Sequence, residues 1–106
     1  MKTYQGIRGK SEAVVAVITA GVRKELNPRL DIRNHSPTGF EWGYGGSGPA
    51  QLALAILADY LGDDRRAQDL CQNFKVRIVA SLDQDSWKLS GADIEAALFA
   101  GSSPEI

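Results

Sequence analysis

The hydrophobic pattern of the chain predicts strands first and helices later. Residues 2–8 alternate polar and apolar side chains, and β-branched residues dominate 14–19. Both patterns are typical of strands, and turn residues at 9–11 would join them as a hairpin. Residues 30–33 alternate apolar with charged side chains, which predicts a third strand. We therefore expect a small, mostly antiparallel sheet in the N-terminal third.

Residues 50–61 form the one long apolar run of the chain. Pro49 suits the first position of a helix and Gly62 suits a left-handed C-terminal cap. Apolar side chains would cover nearly the whole circumference of this helix, which predicts burial on all sides. The run of about 12 residues, interrupted by Gln51 and Asp59, is well short of the roughly 20 that span a bilayer. We expect a core helix and no membrane segment.

Two further helices are predicted after Gly62. Asp63 or Asp64 can cap the first of them, in which apolar residues recur at three- and four-residue spacing as far as Leu82. Residues 87–89 should be extended. Ser90 as N-cap and Asp93 three residues later form a capping box for the last helix. The predicted fold class is α+β, with three helices packed on the sheet, the first of them central and buried.

Composition fits one domain over residues 1–106, with a frayed tail at 102–106. The 106 residues are 43% hydrophobic and 24% charged, which is ordinary for a globular protein. A net charge of −1 gives no overall attraction to nucleic acid or to an anionic membrane, although residues 1–40 hold seven Lys and Arg against three acids. Cys71 is the only cysteine and no basic leader precedes an apolar run, so we expect a cytoplasmic protein.

Residues 34–48 predict a long loop of small, turn-forming and aromatic residues. Loops of this length are uncommon in compact domains and are often functional. Residues 43–48 match G-x-G-x-x-G, but no strand pattern follows the helix, so a Rossmann dinucleotide site is not expected. The phosphate-binding lysine of a P-loop is missing, and Pro49 replaces the last glycine of a nucleophile elbow.

Several interpretations of this loop remain open. We favour a structural role, in which the glycines adopt special backbone angles and let Trp42 and Tyr44 pack over the buried helix. A small anion could instead bind at the helix start. A hydrolase could be assembled from Ser47 or Ser36 with His35 and either Asp31 or Glu41. A basic and aromatic surface could also form from the residues Arg8, Arg29, Arg33, Tyr4 and Trp42.

The block 34–54, NHSPTGFEWGYGGSGPAQLAL, resembles the central stretch of a bacterial and phage family known only as a domain of unknown function. The likeness extends to Tyr4-x-Gly6-x-Arg8, to residues 74–82, to Trp87-x-Leu89 and to Ile94-x-x-Ala97-Leu98. The resemblance implies a small prokaryotic accessory protein, often carried by phages, plasmids or integrated elements. It implies no activity, so no catalytic residue is transferred.

We hypothesise a non-enzymatic binding module that contacts a protein partner through the loop 33–47. One alternative is a binder of a nucleotide or other small anion at the glycine-rich loop, and another is a nucleic-acid binder that uses the basic N-terminal third. No catalytic residue, metal or cofactor is expected, since a single histidine and a single cysteine lack zinc-ligand spacing. The partner and the oligomeric state stay open. The candidate binding residues are Arg33, His35, Glu41, Trp42, Tyr44, Gly45, Gly46, Ser47 and Gly48.

Overall fold

A computed structural model describes residues 2–10, 13–37 and 39–99, so the predicted tail at 102–106 lies outside the described residues. The fold is α+β, as predicted. Its elements are, in chain order, β1 (Lys2–Arg8), β2 (Ala13–Thr19), β3 (Val22–Glu25), α1 (Ser47–Leu61), α2 (Asp64–Arg77), a short 3-10 turn (Val79–Ser81), β4 (Ser86–Ser90) and α3 (Gly91–Phe99).

The four strands form one antiparallel sheet in the order β3-β2-β1-β4. The predicted hairpin of β1 and β2 is confirmed, but the predicted third strand at 30–33 is wrong. The third strand is β3, because Ala20 (φ 51°) and Gly21 (φ 81°) reverse the chain directly after β2. Residues 30–33 instead make a turn, in which the N–H groups of Ile32 and Arg33 donate to the carbonyl of Arg29.

Helix α1 is the centre of the core, as its apolar pattern predicts. Every residue from Gly48 to Ala58 is buried. The helix begins at Ser47, two residues before the predicted start, because Pro49 can occupy any position of the first turn, where its missing N–H loses no helical bond. Gly62 ends it in the left-handed conformation (φ 65°), with its N–H donating to the carbonyl of Ala58.

Helix α2 packs on α1 through Ala67, Cys71 and Phe74, which are buried. Asp63 caps its start by accepting from the N–H of Arg66. The helix ends at Arg77 and not at Leu82, since the chain tightens into the 3-10 turn beyond Ile78. Burial raises the pKa of the Cys71 thiol, whose Sγ donates to the carbonyl of Gln68.

The extended segment predicted at 87–89 is β4, which pairs with β1 and forms one edge of the sheet. The capping box of α3 is confirmed, since Ser90 Oγ accepts from the N–H of Asp93, and the Asp93 carboxylate accepts from the N–H of Ser90. In the part of the chain that the structure describes, no helix has the length and apolar character needed to cross a membrane.

Candidate functional site

An irregular segment joins β3 to α1. Its first half, residues 28–36, is held in place by one buried side chain, that of Gln51. Its Oε1 accepts from the backbone N–H groups of His35 (2.7 Å) and Ser36 (3.2 Å), and its Nε2 donates to the carbonyl of Pro28. Gln51 is fully buried. The amide therefore anchors residues 28–36 to α1, whereas the sequence pattern marked it only as an interruption of an apolar run.

The second half of the segment is fixed around Trp42 and Gly43. Trp42 is fully buried, and its Nε1 donates to the carbonyl of Gln84 (3.1 Å). Gly43 donates its N–H to the carbonyl of Val79 (3.0 Å) and accepts from Nε2 of Gln84 (3.2 Å). Residues 42–43 are thus attached to the stretch between α2 and β4.

Trp42 also packs against a second indole, that of Trp87 in β4. The two rings meet edge to face, with 5.5 Å between centroids. The Trp87 ring lies directly on Gly6 of β1, where a Cβ would come within 2.3 Å of ring atoms. Gly6 is therefore required by contact and not by backbone angle. The buried Nε1 of Trp87 has no hydrogen-bond partner among the described residues.

Arg8 of β1 lies over the outer face of Trp42, with the guanidinium carbon 4.8 Å from the ring centroid. Its Nη2 and Nη1 pair with the two carboxylate oxygens of Glu41 at 2.9 and 3.2 Å, and its Nε donates to the carbonyl of Gln84 at 2.8 Å. The hydrogen-bonded Glu41 raises the pKa of Arg8. Glu41, a candidate binding residue, therefore has a structural partner that the sequence did not indicate.

Unlike Trp42, Tyr44 is not buried against α1, which differs from the favoured structural interpretation. The side chain is 48% exposed, because the loop turns outward at Gly43 (φ 84°) before the helix begins. Its ring lies against Gly46, where a Cβ would approach within 2.9 Å of a ring carbon. We call the patch around it the Tyr44 surface; it consists of the exposed residues Tyr44, Gly45, Gln84 and Asp85 and the partly buried residues Arg8 and Glu41.

The glycines before α1 have different roles from those predicted. Among those at positions 43, 45, 46 and 48, only Gly43 (φ 84°) adopts a backbone angle that favours glycine, and Gly46 (φ 172°) is extended. Gly48 is needed because a Cβ there would lie 2.7 Å from Cβ of Glu41. Ser47 does not cap the helix: the N-cap is Gly46, and no side chain bonds to the free N–H groups there.

The other candidate residues are dispersed. Arg33 is exposed, and His35 is partly buried. Burial lowers the pKa of His35, and the charges of Arg33 and Lys75 lower it further. The hydrolase arrangement has no free carboxylate to orient its histidine, because Asp31 is bonded to Arg29 and Glu41 to Arg8.

The basic and aromatic surface does not assemble either. Tyr4 is fully buried, and Trp42 is covered by Arg8. Arg29 is paired with Asp31 (3.0 Å) and with Asp64 (2.9 Å), which raises its pKa. Arg8 and Arg29 therefore hold parts of the chain together through ion pairs, whereas Arg33, the third arginine of the predicted surface, is exposed.

A cleft that the sequence did not indicate lies at the opposite end of α1. Its volume is about 390 Å³. Asp59 forms one wall of the cleft, and its Oδ2 accepts from Lys2 Nζ (3.1 Å) and from the Tyr4 hydroxyl (2.6 Å). Burial, together with this bond, raises the pKa of Tyr4. The lining residues are Lys2, Val17, Thr19, Val22, Lys24 and Asp59.

Within the described ranges, no group of three or more His, Cys, Asp or Glu side chains is placed to hold a metal ion.

The sequence pattern of DUF6166, a family of unknown function, matches residues 4–100. The chain belongs to this family. The match runs from Tyr4 within β1 to beyond the last residue of α3, so it includes both halves of the irregular segment and the Tyr44 surface. No curated protein and no solved structure matches the chain.

Proposed function

We propose that this member of DUF6166 is a non-catalytic protein-binding module that docks its partner on the Tyr44 surface. The observation that carries the proposal is Tyr44 itself, an aromatic side chain about half exposed on a loop whose backbone is fixed. Tyrosine, tryptophan and arginine are enriched among the residues that supply most of the energy of protein interfaces. Arg8 lies within electrostatic range of Tyr44 on the same surface.

The rigidity of the loop supports the proposal. Both polar backbone groups of Gly43 are bonded to residues 79–84, and the Tyr44 ring rests against Gly46. A ring held in this way loses little conformational entropy when a partner covers it, so more of its contact energy contributes to affinity.

The charges around the ring define the partner. Two carboxylates of this surface, those of Glu41 and Asp85, stand against one cation, Arg8, which is already bonded to Glu41. The excess of acid favours a basic segment on the partner protein, and a Lys or Arg of that segment can lie over the Tyr44 ring.

The two alternatives have less support. A small anion at the start of α1 would meet the Glu41 side chain, which packs directly on Gly48 and brings a carboxylate to that region. Nucleic-acid binding by the basic N-terminal third is weakened because two of its cations, Arg8 and Arg29, are paired with carboxylates. Family membership adds no activity, so an accessory role in a phage or other mobile element stays a prediction, as does a cytoplasmic location.

A random peptide library displayed on phage tests the proposal with the full chain as bait. We expect selected peptides to be rich in Lys and Arg, and their binding to weaken about tenfold or more in Tyr44→Ala, the loss typical of an interface hot spot. Phe99→Ala, which removes an exposed aromatic ring at the end of α3, is the matched control and should bind as the wild type does.

Selected peptides that bind Tyr44→Ala as tightly as the wild type would overturn the proposal, and so would a selection that yields no binder. The alternatives are tested in parallel. A rise in melting temperature with excess phosphate or nucleotide would favour the anion site, since a ligand that binds only the folded state stabilises it. Salt-dependent retardation of single-stranded DNA would favour nucleic acid.

A further inference from the structure

The cleft beside Asp59 lies where the helices stop covering the sheet. Residues opposite one another in an antiparallel pair share a face, so Tyr4, Val17 and Lys24 form one row on the helix side. Along this row the side chains change from fully buried (Tyr4) to partly buried (Val17) and exposed (Lys24). The helix side of β2 and β3 is therefore open to the cleft.

The next row on the same face supplies the rest of the floor. It consists of Lys2, Thr19 and Val22, which are opposite one another on β1, β2 and β3. Val22 leaves 56% of its side chain exposed and, with Val17, makes the floor partly apolar. The volume of about 390 Å³ lies within the roughly 300–1,000 Å³ of pockets that bind small organic molecules. The cleft thus has the size and the mixed lining of a small-molecule site.

The two lysines of the cleft differ in their partners. Lys2 Nζ pairs with the carboxylate of Asp59 and also donates to the carbonyl of the same residue (3.2 Å). The Tyr4 hydroxyl holds the same carboxylate oxygen, which keeps Asp59 directed towards β1. Lys24 has no hydrogen-bond or ion-pair partner among the described residues. Because Lys2 and Asp59 cancel, the lining has one uncompensated positive charge beside an apolar floor.

We infer that the cleft is a binding site for a small monocarboxylate with a short apolar tail. The carboxylate pairs with Lys24 Nζ, and the tail covers Val17 and the exposed side of Val22. A phosphate monoester fits less well, because it carries nearly two negative charges and Asp59 would repel the second. The Tyr44 surface is at the other end of α1, so the inference does not depend on the proposed function.

A titration of the full chain with hexanoate, followed by the amide chemical shifts in NMR spectra, tests the inference. The largest changes should fall on residues 17–24 and on Asp59. The dissociation constant should be about 1 mM, as expected for so small a ligand in an open cleft. Acetate, which lacks the tail, and hexylammonium, in which the charge is reversed, should each bind about tenfold more weakly or worse.

Two neighbouring residues of β3 provide a matched pair of variants. Lys24→Gln removes the cation that faces the cleft and should weaken hexanoate binding about fivefold. Arg23→Gln removes the same charge one residue away, but on the outer face, where Arg23 Nη1 donates to Gln5 (2.9 Å). This control should bind hexanoate as the wild type does. Both positions are exposed, so both variants should fold.

The apolar half of the site is tested by Val22→Thr, which replaces a methyl group of the floor by a hydroxyl group. This variant should weaken hexanoate binding about threefold. An absence of changes in residues 17–24 at about 20 mM hexanoate would overturn the inference. Acetate or hexylammonium binding as tightly as hexanoate would also overturn it. Equal losses in Lys24→Gln and Arg23→Gln would do so as well, since they would indicate a general attraction to basic residues.

Discussion

The two halves of the irregular segment between β3 and α1 are held by different physical means. Residues 28–36 depend on one buried amide, Gln51, which satisfies three backbone groups from within the core. Residues 41–46 depend on the edge-to-face contact of two indole rings and on an ion pair that is open to solvent. The first half is therefore controlled by hydrogen-bond satisfaction, and the second by packing and electrostatics. Four substitutions, ordered by expected effect, test this difference.

Gln51→Leu should be the most damaging change. The substitution removes the hydrogen bonds from the Gln51 amide to the N–H groups of His35 and Ser36 and to the carbonyl of Pro28. Each buried group left unsatisfied costs about 1–3 kcal/mol. We expect a loss of about 3 kcal/mol or more in urea unfolding, with new protease cleavage confined to 28–36. Gln72→Leu, at an exposed position of α2, should change stability by less than about 0.5 kcal/mol. A loss below about 1 kcal/mol in Gln51→Leu would show that the amide is not the anchor.

Gly6→Ala should disturb the second half and leave the first intact. The new methyl group overlaps the Trp87 ring, which must move away and lose its contact with Trp42. Overpacking of this kind costs about 1–3 kcal/mol. Because Trp42 and Trp87 are the only tryptophans, their fluorescence reports this site directly. Gly45→Ala, which meets no atom within 4 Å, is the control. Unchanged fluorescence in Gly6→Ala would refute the role of the contact.

Arg8→Met should have an intermediate effect that depends on salt. It removes the ion pair with Glu41 and the bond to the Gln84 carbonyl but retains some cover for the Trp42 ring. Since Arg8 and Glu41 are partly exposed, we expect a loss of about 1 kcal/mol. A double-mutant cycle with Glu41→Gln isolates the interaction between Arg8 and Glu41. Its coupling free energy should fall as the salt concentration rises. A coupling that does not respond to salt would contradict an electrostatic tie.

His35→Asn should have the smallest effect, visible only as a change in pH dependence. Burial holds the folded-state pKa of His35 below the value of about 6.5 expected for the unfolded chain. As the pH falls through 6.5 the unfolded state takes up the proton first, so the wild type loses stability until the folded-state pKa is reached. The variant should have a flatter profile of melting temperature between about pH 7.5 and pH 5. Parallel profiles would contradict this prediction.

Local signals predicted most of the elements. The Asp63 cap, the Gly62 terminus, and the Ser90 and Asp93 capping box depend on residues within one turn of each other, and all three are present. Strand β3 was not predicted, because all four of its residues are exposed and the sequence shows no alternation of apolar and polar side chains there. It exists because the turn at Ala20 and Gly21 brings it against β2, whereas the alternating residues 30–33 have no strand to pair with.

The site was less predictable, because its contacts join distant residues. The sequence singled out Trp42 and the glycines, but it gave no sign that Arg8 would bind Glu41 or that Gln84 would hold Gly43. The lone polar residue in the apolar run was a usable signal for Gln51. A buried amide must find partners, and the adjoining loop is the nearest source of free backbone groups.

Cys71 supplies a kinetic reporter for all of these comparisons. It is the only thiol of the chain, it is 3% exposed, and it lies on the face of α2 that packs against α1. A thiol reagent can reach it only when the two helices separate, so the rate of labelling in native buffer measures how often the core opens. The protein thus carries an internal probe with which each variant can be ranked without any denaturant.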